Sequence, residues 1–361
     1  MKDGITKEAV LDALRAVKDP DLERDIVSLG FVKKIETEGG AVRAAIEIAT
    51  PLFPSRETFR ETIAAAIAAL GADPVEVNLT CSVRGRRPAE KGDALRETRN
   101  VVAVASGKGG VGKSTVAVNL AIALSRAGAM VGLMDADVYG PSTGIMLGAE
   151  GQPGTADGKR MLPIVAQGIK MMSIHFLVDR DRPLIWRGPM VHNLISQFLD
   201  GVDWGPLDYL VIDLPPGTGD AQLTLSQKAP LSGAVIVSTP QDVSLVDARK
   251  GLRMFEQVDV PVLGIVENMS YFLCPHCGGR TEIFGHGGAR RTAEELGMSF
   301  LGEIPIDPEV VAGGDRGEPI TAARPESPAA VAFTETAERI AVELGRRAIA
   351  GGGDDTFFVE W

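Results

Sequence analysis

Cysteine is scarce in this chain. Three cysteines in 361 residues are too few to staple a fold of this length, and an odd count always leaves one over. A reducing, cytoplasmic setting is therefore expected, with cysteine roles shifted from disulfides toward metal or redox chemistry. Long apolar runs are missing too: a stretch such as residues 63–70 falls far short of the roughly 18 residues a membrane span needs. No secretory leader is expected, because Met1-Lys2-Asp3-Gly4 runs into a polar amphipathic stretch. No lysine- and arginine-rich block offsets a formal charge of −11 and a pI near 5.0, so nucleic acid and anionic membrane surfaces are not expected partners. The 42 glycines and 22 prolines follow no Gly-X-Y period, which excludes collagen and wholesale disorder. What remains is an ordinary globular balance, 45% hydrophobic and 24% charged, in a length that suits two domains.

Residues 1–83 predict a small α+β domain. Thr6 can cap a helix running to about Val17, with Ala9, Val10, Ala13, Leu14 and Val17 on one face. Asp19-Pro20-Asp21 stops it. Residues 31–36 and 41–49 predict two strands around Glu38-Gly39-Gly40, a helix begins at Ser55, and residues 75–83 alternate as a third strand. Residues 84–99 turn polar and charged and predict a linker, with a solvated surface loop as the alternative. From residue 100 to about 350, short apolar runs at 101–105, 130–134, 209–212, 234–238 and 262–266 alternate with helical segments such as 115–127. Runs without alternation suit strands covered on both faces. The expectation is a doubly wound, mainly parallel α/β P-loop NTPase domain, followed by a flexible tail at 351–361 that ends in Val359-Glu360-Trp361.

Gly107-Lys108-Gly109-Gly110-Val111-Gly112-Lys113-Ser114 follows the first strand of that domain and opens a helix. It matches G-x-x-x-x-G-K-[ST] at every fixed position. Glycines let the backbone turn its N–H groups onto phosphate oxygens, Lys113 can reach the β- and γ-phosphates, and the Ser114 hydroxyl can ligate Mg²⁺. The same residues also spell G-x-G-x-x-G, but a dinucleotide reading leaves Lys113 and Ser114 unexplained. Lys108 is an extra cation able to neutralise charge developing at the γ-phosphate, within one subunit or across a dimer. Asp213 ends an apolar strand, as the Mg²⁺-associated carboxylate of such sites does. Asp135 and Asp137 end another, where either can polarise the attacking water or sense Mg²⁺. No Asn-Lys-x-Asp motif occurs, which favours ATP over GTP.

Cys274-Pro275-His276-Cys277 sits in a glycine-rich turn. Two thiolates at this spacing grip one edge of a metal, and a single chain supplies half of a four-thiolate site. Either His276 or His286 completes a zinc site, or two chains donate two cysteines each to an iron–sulfur cluster; a redox dithiol and no role at all are the other readings. Cys81 is expected to be a small buried hydrophobe. His175 and His192 are isolated and are expected to be core or surface residues.

Taken in order, the phosphate loop, Asp135-Ala136-Asp137-Val138-Tyr139-Gly140-Pro141-Ser142, Asp213 through Asp220, Glu267-Asn268-Met269-Ser270 and the cysteine pair closely resemble the Mrp-type iron–sulfur cluster carrier ATPases, relatives of MinD. The resemblance covers residues 99–345. Through Asp19-Pro20-Asp21-Leu22 and residues 26–31, the first 83 residues resemble the small iron–sulfur-assembly domain often fused ahead of these carriers. The resemblance implies that Gly107, Lys108, Gly109, Gly110, Val111, Gly112, Lys113, Ser114 and Thr115 cradle ATP and Mg²⁺, with Lys108 acting across a homodimer. It implies that Asp137 lies near the attacking water, that Asp213 associates with Mg²⁺ and that Asn268 contacts adenine. Cys274 and Cys277 would share a labile 4Fe–4S cluster with the same residues of a second subunit, received from assembly scaffold proteins and delivered to apoproteins. One departure stands out: the family often has Thr-Pro-x-Cys-Pro where this chain has Thr50-Pro51-Leu52-Phe53-Pro54, and phenylalanine cannot ligate iron. The N-terminal domain is then expected to act as a docking module. The rival readings are a MinD/ParA-like positioning ATPase, which would need a basic amphipathic C-terminal helix where this tail is acidic, and a zinc-stabilised ATPase scaffold.

Overall fold

The computed structural model describes residues 5–52, 56–85, 95–155, 158–177, 188–217 and 219–350. Phe53, the linker stretch 86–94, Thr218 and the tail 351–361 lie outside the described residues. The chain divides into two compact units, residues 1–84 with 341–361, and residues 85–340.

The first unit follows the α-β-β-α-β order that the spacing predicts. Thr6 caps α1 (Lys7–Leu14), its hydroxyl accepting from the Ala9 N–H at 3.2 Å. Asp19 then holds the stopping turn, its Oδ1 accepting from the N–H groups of Asp21 and Leu22. β1 (Val32–Glu38) turns through Gly39 and Gly40, both at positive φ, into the antiparallel β2 (Ala41–Ile48). α2 (Arg56–Ala68) buries Phe59, Ile63 and Ile67, one face at four-residue spacing, and β3 (Val75–Cys81) pairs parallel to β2.

The second unit is a parallel sheet flanked by helices. Its elements are β4 (Thr98–Ala105), α3 (Lys113–Arg126), β5 (Val131–Asp135), α4 (Thr143–Met146), β6 (Ile164–Ala166), β7 (Ile169–Ser173), α5 (Gly188–Asp200), β8 (Leu207–Asp213), α6 (Asp220–Lys228), β9 (Gly233–Ser238), α7 (Asp242–Gln257) and β10 (Val262–Glu267). A two-stranded hairpin follows, β11 (Phe272–Leu273) and β12 (Arg280–Thr281), then α8 (Gly288–Glu295), β13 (Phe300–Glu303), α9 (Pro308–Arg316), α10 (Ile320–Ala323) and α11 (Pro328–Ala350), a helix whose residues from 341 onward belong to the first unit. The main sheet runs β13-β10-β9-β4-β8-β5-β7-β6, with every pair parallel except β6–β7 at one edge. β5 to β8 lie on one side of β4 and β9, β10 and β13 on the other, and α/β folds place ligands outside the carboxyl ends of the strands at such a reversal of strand order. All five predicted apolar runs are strands of this sheet. β6, β7 and β13 were not predicted, because three to five residues, broken by Lys170 in β7, give no apolar run to detect. Among the described residues no helix is long and apolar enough to cross a membrane.

Trp204 anchors the core beneath this sheet. It is 1% exposed, its indole N–H donates to the Phe198 carbonyl at 3.0 Å, and its own carbonyl accepts from Lys170 Nζ at 2.6 Å. Gly132 in β5 leaves it room: a Cβ there would run into Leu207, Leu210 and the indole. Trp204→Ala is expected to lower unfolding free energy by about 3–5 kcal/mol, the range for truncating a buried aromatic, as measured by guanidinium denaturation.

Candidate functional site

The phosphate-loop sequence lies between β4 and α3, at the carboxyl edge of the sheet. Ser106 Oγ donates to the Lys108 carbonyl at 2.9 Å, which braces the start of the loop. Gly110 and Gly112 take φ of 81° and 80°, a region costly for any residue with a Cβ. Gly112 precedes α3 and offers no side-chain cap, so the first-turn N–H groups of that helix are not satisfied by a side chain at the cap position. Backbone donors arranged at a helix N-terminus bind phosphate. Lys108 is half-buried within the loop.

Below the loop, two strand ends and the start of α3 bring charge together. Lys113 is 6% exposed, and its Nζ lies 2.6 Å from Asp213 Oδ1, 3.3 Å from Ser114 Oγ and 3.7 Å from Asp137 Oδ2. Asp213 ends β8 and is paired in register with Asp135, which ends β5. Burial pushes the Asp213 carboxyl up from its ordinary range, and burial together with the neighbouring Asp213 raises Asp135 to about 7. One ammonium thus faces three carboxylates. Asp213 Oδ2 and Asp137 Oδ1 are buried without a hydrogen-bond partner. Hard oxygen donors with unused lone pairs beside the Ser114 hydroxyl fit a Mg²⁺ shell, so the residues present suit the ion that the loop implies.

Asp135 also organises the loop that carries Asp137. Its Oδ1 accepts from the Asp137 N–H at 3.1 Å, and its Oδ2 accepts from the Thr143 hydroxyl at 2.8 Å, the Thr143 N–H at 3.3 Å and Ser173 Oγ at 3.2 Å. Both ends of the segment 137–143 are therefore tied to one carboxylate. Thr143 and Ser173 escape sequence reasoning, since Ser173 ends a strand that gives no apolar run. Asn268, at the end of β10, is buried, and its Nδ2 donates to the Val111 carbonyl at 2.8 Å. Glu267 beside it, given no role of its own within the Glu267–Ser270 motif, is fully buried.

The cysteine pair occupies the tip of the β11–β12 hairpin. The Cys274 N–H donates to the Gly279 carbonyl and the Gly278 N–H to the Cys274 carbonyl, both at 2.9 Å, while Gly278 sits at positive φ. Cys274 is half-buried and Cys277 exposed. The N–H groups of Cys277 and His276, then the Cys277 side chain, pull the Cys274 thiol below its usual range and so favour the thiolate that binds metals. At the hairpin base Arg280 stacks on Tyr271 at 3.8 Å and pairs with Glu282 and Glu303, each at 3.0 Å. His286 Nδ1 faces this arginine at 3.4 Å and Glu282 at 3.8 Å. Among the described residues no group of three or more His, Cys, Asp or Glu gathers as a metal site. Cys81, expected inside, is instead exposed: it shares the alternation of the buried Val77 and Leu79 but is the last residue of β3, where that face is no longer covered. His175 is half-buried, its ring edge-on to Phe176, and His192 is exposed.

Asp135 makes stability depend on pH. Between its ordinary value of 3.8 and about 7 the folded chain holds a proton that the unfolded chain has lost, so this carboxyl erodes stability as pH rises through that window. Urea denaturation of Asp135→Asn beside the parent chain, without nucleotide, is expected to show the variant's relative stability improving from about pH 4 to about pH 7 and then levelling.

Three kinds of likeness bear on this geometry. A family model described as "NUBPL iron-transfer P-loop NTPase" matches residues 97–341, and one described as "Iron-sulfur cluster assembly protein" matches residues 7–79. The chain is 46% identical over 351 residues to the iron-sulfur cluster carrier protein of Synechocystis sp., covering 96% of this chain and 99% of that one. It is 50% identical over 261 residues to the iron-sulfur cluster transfer protein NUBPL of Dictyostelium discoideum, covering 72% and 81%. A solved nucleotide-binding protein from Archaeoglobus fulgidus, in complex with ADP, superposes with TM-score 0.58 at 44% identity over 66% of this chain and 93% of that one. The cell division ATPase MinD of Pyrococcus furiosus, at TM-score 0.51 and 24% identity over 67% and 98%, shares the fold. A crevice lined by Lys113, Asp137 and Asp213, a phosphate loop above it and a cysteine hairpin beyond it thus belong to a chain of the NUBPL iron-transfer P-loop NTPase family, which carries an iron–sulfur cluster assembly domain ahead of the NTPase.

Proposed function

We propose that this chain is an iron–sulfur cluster carrier in which two copies hold one 4Fe–4S cluster between their Cys274/Cys277 pairs, and ATP at each phosphate loop governs delivery to recipient apoproteins. The hairpin tip carries the reading. Two thiols lie there at metal-gripping spacing, that of Cys274 held below its usual range by neighbouring N–H groups, and His286 is engaged with Arg280 and Glu282. A second copy related by a two-fold axis would complete a four-thiolate set, and separating the copies would halve the coordination, which suits cargo that must be released. The names of the relatives from Synechocystis and Dictyostelium support cluster carriage and transfer.

At the crevice, Lys113 would leave Asp213 for the β- and γ-phosphate oxygens, and Ser114 and Asp213 would hold Mg²⁺, which supplies charge neutralisation for phosphoryl transfer. Asp137, held in place through Asp135, would orient the attacking water. Lys108 would meet charge developing on the γ-phosphate, from its own subunit or from the partner. The N-terminal domain would dock assembly scaffolds or recipients without a cysteine of its own at Phe53.

Anaerobic iron–sulfur reconstitution followed by transfer to a recipient apoprotein tests the reading. Cys274→Ala is expected to lose cluster retention while binding ATP as the parent does. Lys113→Gln is expected to load cluster through its cysteines but to lose nucleotide binding and nucleotide-dependent delivery. A Cys274→Ala chain that keeps a full cluster, or a parent chain that takes up zinc and no iron or sulfide, contradicts the proposal.

A further inference from the structure

One short segment reaches from the phosphate loop to the cysteine hairpin. β10 ends at Glu267, and residues 268–273 lead directly into Cys274. Asn268 Nδ2 holds the Val111 carbonyl at 2.8 Å. That carbonyl and the Gly112 N–H belong to one planar trans peptide and point in opposite directions. A phosphate oxygen drawn to the Gly112 N–H therefore tilts the carbonyl that Asn268 grips. Little slack exists at this point, because a Cβ on Gly112 would collide with the Asn268 amide.

The segment beyond Asn268 is tied at nearly every residue. Its own N–H donates to the Ser238 carbonyl at 2.8 Å. The buried Glu267 carboxylate accepts from Ser270 Oγ at 2.6 Å and from the Ala289 N–H of α8 at 2.7 Å. The Ile304 N–H donates to the Glu267 carbonyl and the Ser270 N–H to the Ile304 carbonyl, both at 2.9 Å, and the Ile306 N–H donates to the Tyr271 carbonyl at 2.6 Å. Phe272 then bridges Ile306, next to the hairpin. Met269 is held at φ 55°, a conformation a non-glycine residue keeps only where its surroundings over-determine it. A strut secured in this way transmits a displacement rather than absorbing it.

We infer that Asn268 is a positioning residue that couples the two sites: its hold on Val111 is the element with two settings, on and off, and the Glu267–Ser270 elbow carries the change of setting to Cys274 and Cys277. This rests on the carrier reading and names the route by which nucleotide would reach the thiolates. Coupling between binding sites is reciprocal, so an occupied cysteine pair changes nucleotide affinity by the factor with which nucleotide changes the pair.

The test uses the full-length chain free of metal, so it reports on coupling whether or not a cluster loads. Alkylation of Cys274 and Cys277 by iodoacetamide is followed by mass spectrometry, with and without a saturating non-hydrolysable ATP analogue and Mg²⁺, with nucleotide occupancy measured in the same samples. In the parent chain the analogue is expected to change the alkylation rate by about five-fold or more, the low end of ordinary coupling between sites. Asn268→Asp, which keeps the side-chain shape and deletes the donor, is expected to bring that ratio close to one at full occupancy. Ser270→Ala, which loosens the elbow away from the nucleotide, is expected to shrink the ratio without changing nucleotide affinity, and it decides alone if the Asn268 variant fails to fold or to bind. A parent ratio near one, or an undiminished ratio in the variants, overturns the inference. Failure of the carrier reading appears separately, as a chain that takes up no iron whatever its alkylation ratio.

Discussion

The contact between Lys113 and Asp213 sets the terms for the rest of the crevice. Removing a charge from water costs several kcal/mol unless a partner or a ligand replaces the lost hydration. Here a single buried ammonium is shared among Asp213, Asp137 and, through the sheet register, Asp135. The strain of this arrangement is visible in two places: burial, with Asp213 alongside, raises Asp135 to about 7, and oxygens of Asp213 and Asp137 remain without hydrogen-bond partners. A site with that imbalance favours ligands that bring a cation. A metal-bound nucleotide meets the requirement from both sides, since its phosphates take the lysine and its metal takes the carboxylates.

The sheet makes this arrangement possible. Parallel strands deliver their carboxyl ends to one edge, so Asp135 and Asp213, 78 positions apart in the chain, become register partners. The helix following β4 supplies Lys113, and the end of β10 supplies Asn268. The cysteine hairpin stands outside this packed region, on a glycine turn with one exposed thiol. Burial suits hydrolysis, which needs fixed donors in a dry setting, while exposure suits cargo that must pass between proteins. The Glu267–Ser270 elbow joins the two environments without merging them.

Features whose chemistry demands adjacent residues were legible in the sequence. The phosphate loop, the apolar strand ending at Asp213 and the Cys-x-x-Cys turn each keep their whole signal within a few positions, and all five short apolar runs are strands of the central sheet. What stayed hidden depends on partners far along the chain. Thr143 and Ser173 matter because they converge on Asp135, and Glu267 because it meets Ser270 and the start of α8; no local pattern announces such meetings. Cys81 misled for a related reason, since alternation decides which face a residue takes but not whether the strand's last position is covered. The short strands β6, β7 and β13 owe their existence to neighbours already in place.

The sharing of one cluster by two chains is tested most directly by native mass spectrometry of the anaerobically reconstituted protein. The expected species has the mass of two chains plus four irons and four sulfides. A single chain carrying one metal ion, or a two-chain species holding a separate metal on each copy, would contradict it.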